Sequence, residues 1–142
     1  EETPPDSRLY TWSMGSDGKI SKTAKSLADT DAVDESGNKI KDEDGNQVIN
    51  RGVKYTLKQE VKSQQGALLA ETDWSVVRKA DKGTAIPSNI QTYRDAIRTK
   101  ATAMESAIDG AANTDAVAAL FLSWDEEGNQ SGILYDWPKL GS

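Results

Sequence analysis

The chain contains no cysteine and no histidine among its 142 residues. Without cysteine it has no disulfides, no thiol nucleophile and no thiolate metal site. Without histidine it lacks the commonest general base and the commonest zinc ligand. Catalysis by a Ser-His-Asp or Cys-His arrangement is therefore excluded. An enzyme built on this chain would have to use carboxylates, lysine, tyrosine or a bound cofactor.

Long apolar runs are also missing, and apolar residues make up 36% of the chain. No stretch approaches the ~20 residues of a membrane span, and no signal-peptide pattern opens the chain. We therefore expect no membrane interaction. We also expect a thin core, which indicates either extended polar segments or stability gained from a partner or a symmetry mate. Because the chain starts at Glu1 rather than methionine, we expect it either to start inside a longer gene product or to have been trimmed.

The charge is acidic, with 23 Asp and Glu against 17 Lys and Arg and a net charge of −6. Such a field repels phosphate backbones. No run of basic residues creates a local exception, so we expect no nucleic-acid partner.

Residues 1–52 form a polar region with β-strand patterns. We expect residues 1–6 to be an extended arm, because they are polar and contain prolines. Arg8 to Met14 alternates between two faces, and one of these faces carries Tyr10, Trp12 and Met14. This alternation predicts a strand with an aromatic face, followed by a turn at residues 15–18.

A short pattern, D-x-x-G-N-x-(I/V), occurs at residues 34–40 and again at 42–48. Its first five residues occur a third time at 125–129. Glycine and asparagine tolerate positive φ, so each copy predicts a tight reversal between short strands.

The second copy of this pattern also imitates the start of a calcium-binding EF-hand loop. Asp42, Asp44 and Asn46 have the spacing of its first three ligands. However, Gln47 stands at the position of the required glycine, and Val53 at that of the bidentate glutamate. We favour the turn and keep a loose surface calcium site as the alternative.

The second half of the chain, residues 53–142, has helical patterns. Apolar residues predict a helix over 55–72 and a second over 88–109, and we expect the two to pack as an antiparallel pair. The apolar stripe of the first consists of Leu57, Val61, Leu68 and Leu69. That of the second consists of Ile90, Tyr93, Ile97, Ala101, Met104 and Ile108.

The remaining segments complete a predicted α+β fold. We expect residues 73–87 to be a connector with an extended piece at Trp74–Val77, and residues 114–120 to form a short helix. Residues 122–137 predict a final β-hairpin, whose apolar face carries Ile133, Tyr135 and Trp137. We expect this hairpin to join the strand of Tyr10 and Trp12 in one sheet.

Three pieces of the sequence are similar to a known family. They are Leu68-Leu69-x-x-Thr72-Asp73-Trp74, Tyr93-Arg94-x-x-Ile97-Arg98 and Trp137-Pro138. In this order they resemble the tail-assembly-chaperone and tail-fibre-assembly proteins of bacteriophages, over residues 57–138. The positions that match the motif are Leu68, Leu69, Asp73, Trp74, Tyr93, Arg94, Arg98, Trp137 and Pro138.

The resemblance implies a protein that helps tail parts or fibres to fold, assemble or attach, without catalysis, cofactor or metal. It implies other phage tail or tail-fibre proteins as partners, with a homo-oligomer as a further possibility. The implied location is the virion, or the host cytoplasm during assembly. Residues 1–52 have the polar, turn-rich composition of an attachment domain.

The motif residues have a structural and a functional interpretation. In the functional one, one or two of Trp74, Tyr93 and Trp137 anchor an interface with a fibre or chaperone. In the structural one, Trp74 turns inward and packs with Tyr93 and Trp137 in a small core. Arg94 and Arg98 are predicted either to clamp a carboxylate of Asp73 or of a partner, or to form exposed pairs within their own helix, and we favour the exposed pairs.

Carbohydrate binding or hydrolysis is the alternative function. Paired carboxylates cleave glycosidic bonds, and aromatic rings stack on sugars. Asp73 beside Trp74, and Asp136 between Tyr135 and Trp137, are the best candidates for such a site.

Overall fold

The computed structural model describes residues 5–140, and its fold is α+β, as predicted. The strands of the described residues form three separate antiparallel pairs. In chain order the elements are β1 (Tyr10–Met14), β2 (Ile20–Ala24), β3 (Thr30–Asp31), β4 (Ile49–Asn50), α1 (Val53–Ala70), α2 (Asp73–Lys82), α3 (Ser88–Gly110), α4 (Thr114–Ala118), β5 (Ser123–Trp124) and β6 (Gln130–Ser131).

The chain divides into two compact units. Unit 1 comprises Glu1–Leu57 and Ala112–Ala118, and unit 2 comprises Lys58–Ala111 and Ala119–Ser142. The division falls inside α1, so this helix contributes residues to both. The sequence predicts two domains that meet between residues 52 and 53. The compact units are a different kind of division, so this domain boundary stays a prediction. Among the described residues, no helix has the length and apolarity to cross a membrane.

In unit 1, β1 and β2 form a hairpin. The predicted strand is confirmed from Tyr10 onward, whereas its partner β2 was not predicted. At the end of the hairpin opposite its turn, the Tyr10 hydroxyl donates to Asp115 Oδ1 at 2.5 Å, and this hydrogen bond raises the pKa of Tyr10. The predicted arm over residues 1–6 lies mostly outside the described residues. Within them, the Arg8 side chain hydrogen-bonds the Asp6 carboxylate at 2.8 Å and lowers its pKa.

The predicted reversals at 34–40, 42–48 and 125–129 are confirmed, and the three turns share one geometry. In each, the aspartate Oδ1 accepts the backbone N–H groups two and four residues later, at 2.8–2.9 Å. The glycine of each turn has a φ of 83° or 84°. In the last turn, hydrogen bonds from the Asn129 backbone and side chain lower the pKa of Asp125. Each aspartate therefore holds its own turn closed.

The first two turns meet β3 and β4 at a three-way junction. Ala32, Ile40 and Val48 are eight residues apart and form a closed ring of backbone hydrogen bonds. Ile40 N–H donates to Ala32 O at 3.0 Å, Val48 N–H to Ile40 O at 3.0 Å, and Ala32 N–H to Val48 O at 2.9 Å. The eight-residue repeat in the sequence thus becomes a pseudo-threefold arrangement of short hairpins.

The start of α1 is held within unit 1. Asp29 Oδ1 accepts the Gly52 N–H at 2.8 Å, and this hydrogen bond, followed by that from Arg51, lowers the pKa of Asp29. The carbonyls of Ser26 and Leu27 accept the next two backbone N–H groups at 2.9 and 3.1 Å. The first donors of the helix are therefore satisfied by the preceding loop.

In unit 2, α1 and α3 form the predicted antiparallel pair, with bounds close to those predicted. Lys58 pairs with Asp109 at 3.1 Å and Lys62 with Glu105 at 3.6 Å, so residues farther along α1 meet earlier residues of α3. The apolar stripe predicted for α3 is buried at every position: Ile90, Tyr93, Ile97, Ala101, Met104 and Ile108.

The connector predicted over residues 73–87 is wrong in its first ten residues, because Asp73–Lys82 forms α2 rather than an extended piece. An acidic residue opens the helix, basic residues occupy its last turn, and Gly83 ends it with a φ of 71°. These charges favour a helix through its dipole, and glycine is the usual residue for a left-handed helix end.

The C-terminal hairpin is shorter than predicted. β5 pairs with β6, while β1 pairs with β2, so the predicted joint sheet is wrong. The predicted strand of Ile133, Tyr135 and Trp137 is also wrong, because Tyr135 has a φ of 71° and the antiparallel ladder of β5 and β6 ends at Ser131. Beyond it, Leu134 forms an isolated parallel bridge with Phe121. The fully buried residue of this segment is Leu134. The short helix predicted over 114–120 is confirmed as α4, although it ends at Ala118.

Candidate functional site

The three sequence pieces that resemble the family motif all lie in unit 2, where two of them meet at the junction of α1 and α2. α1 ends at Ala70, and Thr72 precedes α2. The Thr72 N–H donates to Leu69 O at 3.1 Å, which makes a tight corner between the helices. Thr72 is buried, and its hydroxyl also donates to Leu69 O at 3.3 Å.

Arg94 of α3 reaches this corner and completes it. Its Nη1 donates to Leu69 O at 2.9 Å and to Thr72 Oγ1 at 2.8 Å, and lies 3.0 Å from Asp73 Oδ1. We call Leu69, Thr72, Asp73 and Arg94 the corner site. Two pieces of the motif that are 22 residues apart in sequence thus form one hydrogen-bonded unit.

The electrostatics of the corner site are asymmetric. Arg94 is 5% exposed, whereas the side chain of Asp73 is 57% exposed. Burying a guanidinium without partners is unfavourable, so its hydrogen bonds inside the protein are what allow it to lie there. A carbonyl at the end of α1 is also a natural acceptor for a cation, since the helix dipole is negative there. Arg94 therefore pairs with Asp73, contrary to the exposed pair within its own helix that we favoured, but through one nitrogen and one carboxylate oxygen rather than as a two-pronged clamp.

Arg98 follows the favoured prediction instead. Its guanidinium lies 3.4 Å from Asp95 Oδ1 within α3, and both side chains are exposed. Such a pair contributes little to stability. The two arginines of the motif are therefore physically different.

The aromatic residue of the first motif piece is not in the core. Trp74 is 51% exposed, so the prediction that it turns inward to meet Tyr93 and Trp137 is wrong. The Arg78 guanidinium lies over its ring at 4.9 Å, one helical turn later. Val76 and Val77 are exposed as well. Trp74 and Val77 are three residues apart and share one face of the helix, and we call these two residues the α2 surface.

The leucine pair is only partly buried. Leu68 and Leu69 are intermediate in exposure, whereas Leu57 and Val61 of the same helix are fully buried. The predicted stripe of α1 is therefore confirmed at its first two positions and is only half-buried at its last two.

The third motif piece lies against α1 and α3. The Trp137 indole Nε1 donates to Gln64 Oε1 at 2.7 Å, and Asp136 pairs with Lys100 at 3.4 Å. Tyr135 donates its hydroxyl hydrogen bond to Glu60, one turn before Gln64 on α1. Glu60 and Gln64, one turn apart on α1, therefore hold Tyr135 and Trp137 through hydrogen bonds.

Open grooves lie on either side of the terminal Trp-Pro pair, with volumes of about 440 and 420 Å³. Both are lined by Ala96 of α3 and by Pro138. Tyr93, which is buried, lines the first, and Trp137 lines the second. Their linings are mostly uncharged, with Lys139 in the first groove and the Lys100–Asp136 ion pair in the second.

The described residues give little support for a metal centre. Asp42 Oδ1 accepts two backbone N–H groups of its turn, as the turn interpretation predicts. No group of three or more carboxylates within residues 5–140 is arranged to hold an ion. The two carboxylates considered for glycoside chemistry are both ion-paired, Asp73 with Arg94 and Asp136 with Lys100.

Sequence reasoning predicted Thr72 or Asp73 as the cap of the first helix, but it missed the acceptors on α1 and the hydrogen bond from Arg94 to Thr72. Glu60 and Gln64 have the i, i+4 spacing of one helix face, which was a usable signal. No sequence signal pointed to the carbonyl of Leu69, because every residue has one.

Comparison with known proteins adds no relative, since no family model, no curated protein and no solved structure matches the chain.

Proposed function

We propose that this protein is a non-enzymatic component of a bacteriophage tail or tail fibre that acts by binding other tail proteins. In this proposal unit 2 has the role of an assembly chaperone or adaptor. The proposal begins from the motif resemblance over residues 57–138. The observation that carries it is the corner site, in which residues of two separate motif pieces bond to one another.

The corner site explains what the motif residues do for the fold. Arg94 fixes the end of α1 relative to the start of α2 through Leu69 O and Thr72 Oγ1. A fixed corner presents α2 in one orientation, with its apolar residues outward. The motif therefore describes a scaffold that displays the α2 surface.

The α2 surface fits protein binding. Trp74 is half-exposed and Val77 is 64% exposed, whereas the buried residue of α2 is Ser75. Tryptophan and arginine are enriched at interface hot spots, and Arg78 is stacked on this tryptophan. A helix that turns its largest apolar residues to solvent is typical of a binding surface rather than of a core element.

The carbohydrate-binding alternative has less support. Its two carboxylates are ion-paired with Arg94 and Lys100. Of its aromatic residues, Trp137 is half-buried with its indole N–H engaged by Gln64. Trp74 keeps an exposed ring, but Arg78 covers one face of it.

The experiment combines virion composition with a surface variant. Particles produced from the genome that encodes this chain are purified, and the chain is quantified against the tail proteins. A tail component is present at a fixed ratio. An assembly chaperone is absent from particles and co-purifies with tail or fibre subunits from infected cells.

The matched variants are Val77→Ser on the α2 surface and Val33→Ser, which replaces a similarly exposed valine in unit 1. We expect Val77→Ser to weaken the association with tail proteins and Val33→Ser to leave it unchanged. Absence of the chain from both particles and subunit complexes would refute the proposed function. Loss of glycan binding in Trp74→Ala, with tail association intact, would favour the alternative.

A further inference from the structure

The hairpin of β1 and β2 is a two-stranded sheet with both faces exposed. Apart from Tyr10 and Ile20, every residue of its two strands is exposed. Trp12 and Met14 share one face and are 40% and 47% exposed. A two-stranded hairpin is marginally stable in water on its own, and a third strand is the usual remedy. Within residues 5–140, no third strand pairs with this hairpin.

The register shows which backbone groups are free to pair. Gly15 N–H donates to Lys19 O, and Lys25 N–H donates to Leu9 O. Since bonding alternates along an antiparallel pair, the odd-numbered residues of β1 direct their backbone groups toward β2. Those of Trp12 and Met14 point outward. The Tyr10 N–H is already bonded to Asp6 O, which closes the edge at that end.

Beyond Tyr10, the outer edge of β1 has no charge, proline or bulge to prevent pairing. Natural edge strands carry charges, proline or a bulge. β1 reads Tyr-Thr-Trp-Ser-Met, without charge or proline, and its register is continuous over all five residues. β2 differs, because Lys22 lies within it and Lys19 and Lys25 flank it. The open edge is therefore on β1 and not on β2.

We propose that β1 pairs antiparallel with β1 of a second copy of this chain, centred on Ser13. In this register each Trp12 lies opposite Met14 of the second copy, and each such pair exchanges both of its backbone hydrogen bonds. Neither of these two Trp12–Met14 pairs uses the Tyr10 N–H. The product is a four-stranded sheet in the order β2–β1–β1–β2. This inference does not rest on the proposed function.

The side chains suit this register. Trp12 packs against Met14 of the other copy on one face, and contacts between sulfur and aromatic rings are favourable. Ser13 lies opposite Ser13 on the other face, where it continues the row of small hydroxyl residues Thr11, Ser21 and Thr23. No side chain of β1 meets a like charge.

The charge distribution selects a second copy's β1 over its β2. In the four-stranded sheet the two β2 strands are outermost, three strand spacings or roughly 14 Å apart. At physiological ionic strength the repulsion between their lysines is largely screened at that distance, since the Debye length is about 8 Å. Pairing through β2 would instead place lysines of the two copies side by side, which is unfavourable.

A cysteine substitution tests the register, because the natural chain has no cysteine. At the centre of the pair, Ser13 is a non-hydrogen-bonded position with a Cα–Cα distance of about 4.5 Å, which a disulfide can span. Ser21 faces the same side but is on the outer strand. We expect Ser13→Cys to form a disulfide-linked dimer on mild oxidation, and the matched control Ser21→Cys to stay mainly monomeric.

Analytical ultracentrifugation of the unmodified chain is the second measurement. We expect its mass to double across a concentration series, and Met14→Lys to remain a monomer with an unchanged circular dichroism spectrum. A wild-type chain that stays monomeric at every concentration overturns the inference. So does equal cross-linking of Ser13→Cys and Ser21→Cys, or a dimer that persists in Met14→Lys.

Discussion

Replacing Arg94 by methionine tests whether the corner site stabilises the fold. Methionine keeps most of the apolar length of the side chain and removes its charge and donors. Arg94 is 5% exposed and bonds Leu69 O at 2.9 Å and Thr72 Oγ1 at 2.8 Å. The substitution therefore leaves acceptors at the end of α1 without their partner.

The size of the effect follows from these contacts. A hydrogen bond to a charged group contributes about 1.5–3 kcal/mol. Both bonds come from one nitrogen, and Leu69 O keeps the Thr72 N–H as a second donor. Asp73 is mostly exposed, so its ion pair adds no more than about 1 kcal/mol. We expect Arg94→Met to lower the free energy of unfolding by about 3 kcal/mol, and the melting temperature by roughly 6–12 °C.

The assay is urea unfolding followed by circular dichroism at the helix band, with Arg98→Met as the matched control. Arg98 lies one turn along the same helix in an exposed pair with Asp95. Its loss should change stability by less than about 0.5 kcal/mol. In a Thr72→Val background, Arg94→Met should cost less than in the wild-type chain, because the two residues share a bond. Equal stabilities of Arg94→Met and Arg98→Met would refute the role assigned to the corner site.

Further predictions concern two glycines and two titrating groups. Gly66→Ala should raise the free energy of unfolding by about 0.5–1 kcal/mol, since the glycine is inside α1 and a Cβ there would meet nothing within 4 Å. Gly132→Ala should lower it by at least about 1–3 kcal/mol, because its φ is 85° and a Cβ would collide with a backbone carbonyl. Urea unfolding measures both, and effects of equal sign would contradict the reasoning. The raised pKa of Tyr10 means that its contribution to stability is present below pH 10 and is lost as pH rises through the folded pKa. In a spectrophotometric titration, Asp115→Asn should return this pKa toward 10, whereas an unchanged curve would exclude the hydrogen bond. The lowered pKa of Asp125 has the opposite sign, so its turn is stabilised above about pH 3.8 and loosens as pH falls through the folded pKa. Carboxyl chemical shifts measure it by NMR, and a midpoint at or above 3.8 would count against the turn geometry.

The elements that could be predicted from the sequence are those whose physics is local. The apolar stripe of α3 repeats every three or four residues, and all six of its residues are buried. The repeated turns depend on an aspartate and a glycine within five residues of each other, and all three form as predicted. In both cases the interacting groups are neighbours along the chain.

The failures occur where local patterns are ambiguous. Trp74, Val76 and Val77 favour a strand by their shape, whereas Asp73 and Gly83 are typical of helix ends. The helix forms, and its apolar residues stay exposed. Likewise, alternation from Ile133 to Trp137 predicts a strand, but Tyr135 adopts a left-handed conformation and antiparallel pairing ends earlier.

The sequence by itself determined the α+β class, the antiparallel helix pair and the places where the chain reverses, because periodicity and turn chemistry act over a few residues. It also marked Arg94 and Trp74 as unusual through the motif. Only the tertiary structure decided that Arg94 is buried against Leu69 O and Thr72 while Trp74 faces solvent. The physical reason is that a buried guanidinium needs acceptors from distant parts of the chain. One acceptor here is a backbone carbonyl, and since every residue has one, the residue types do not show which carbonyl is used.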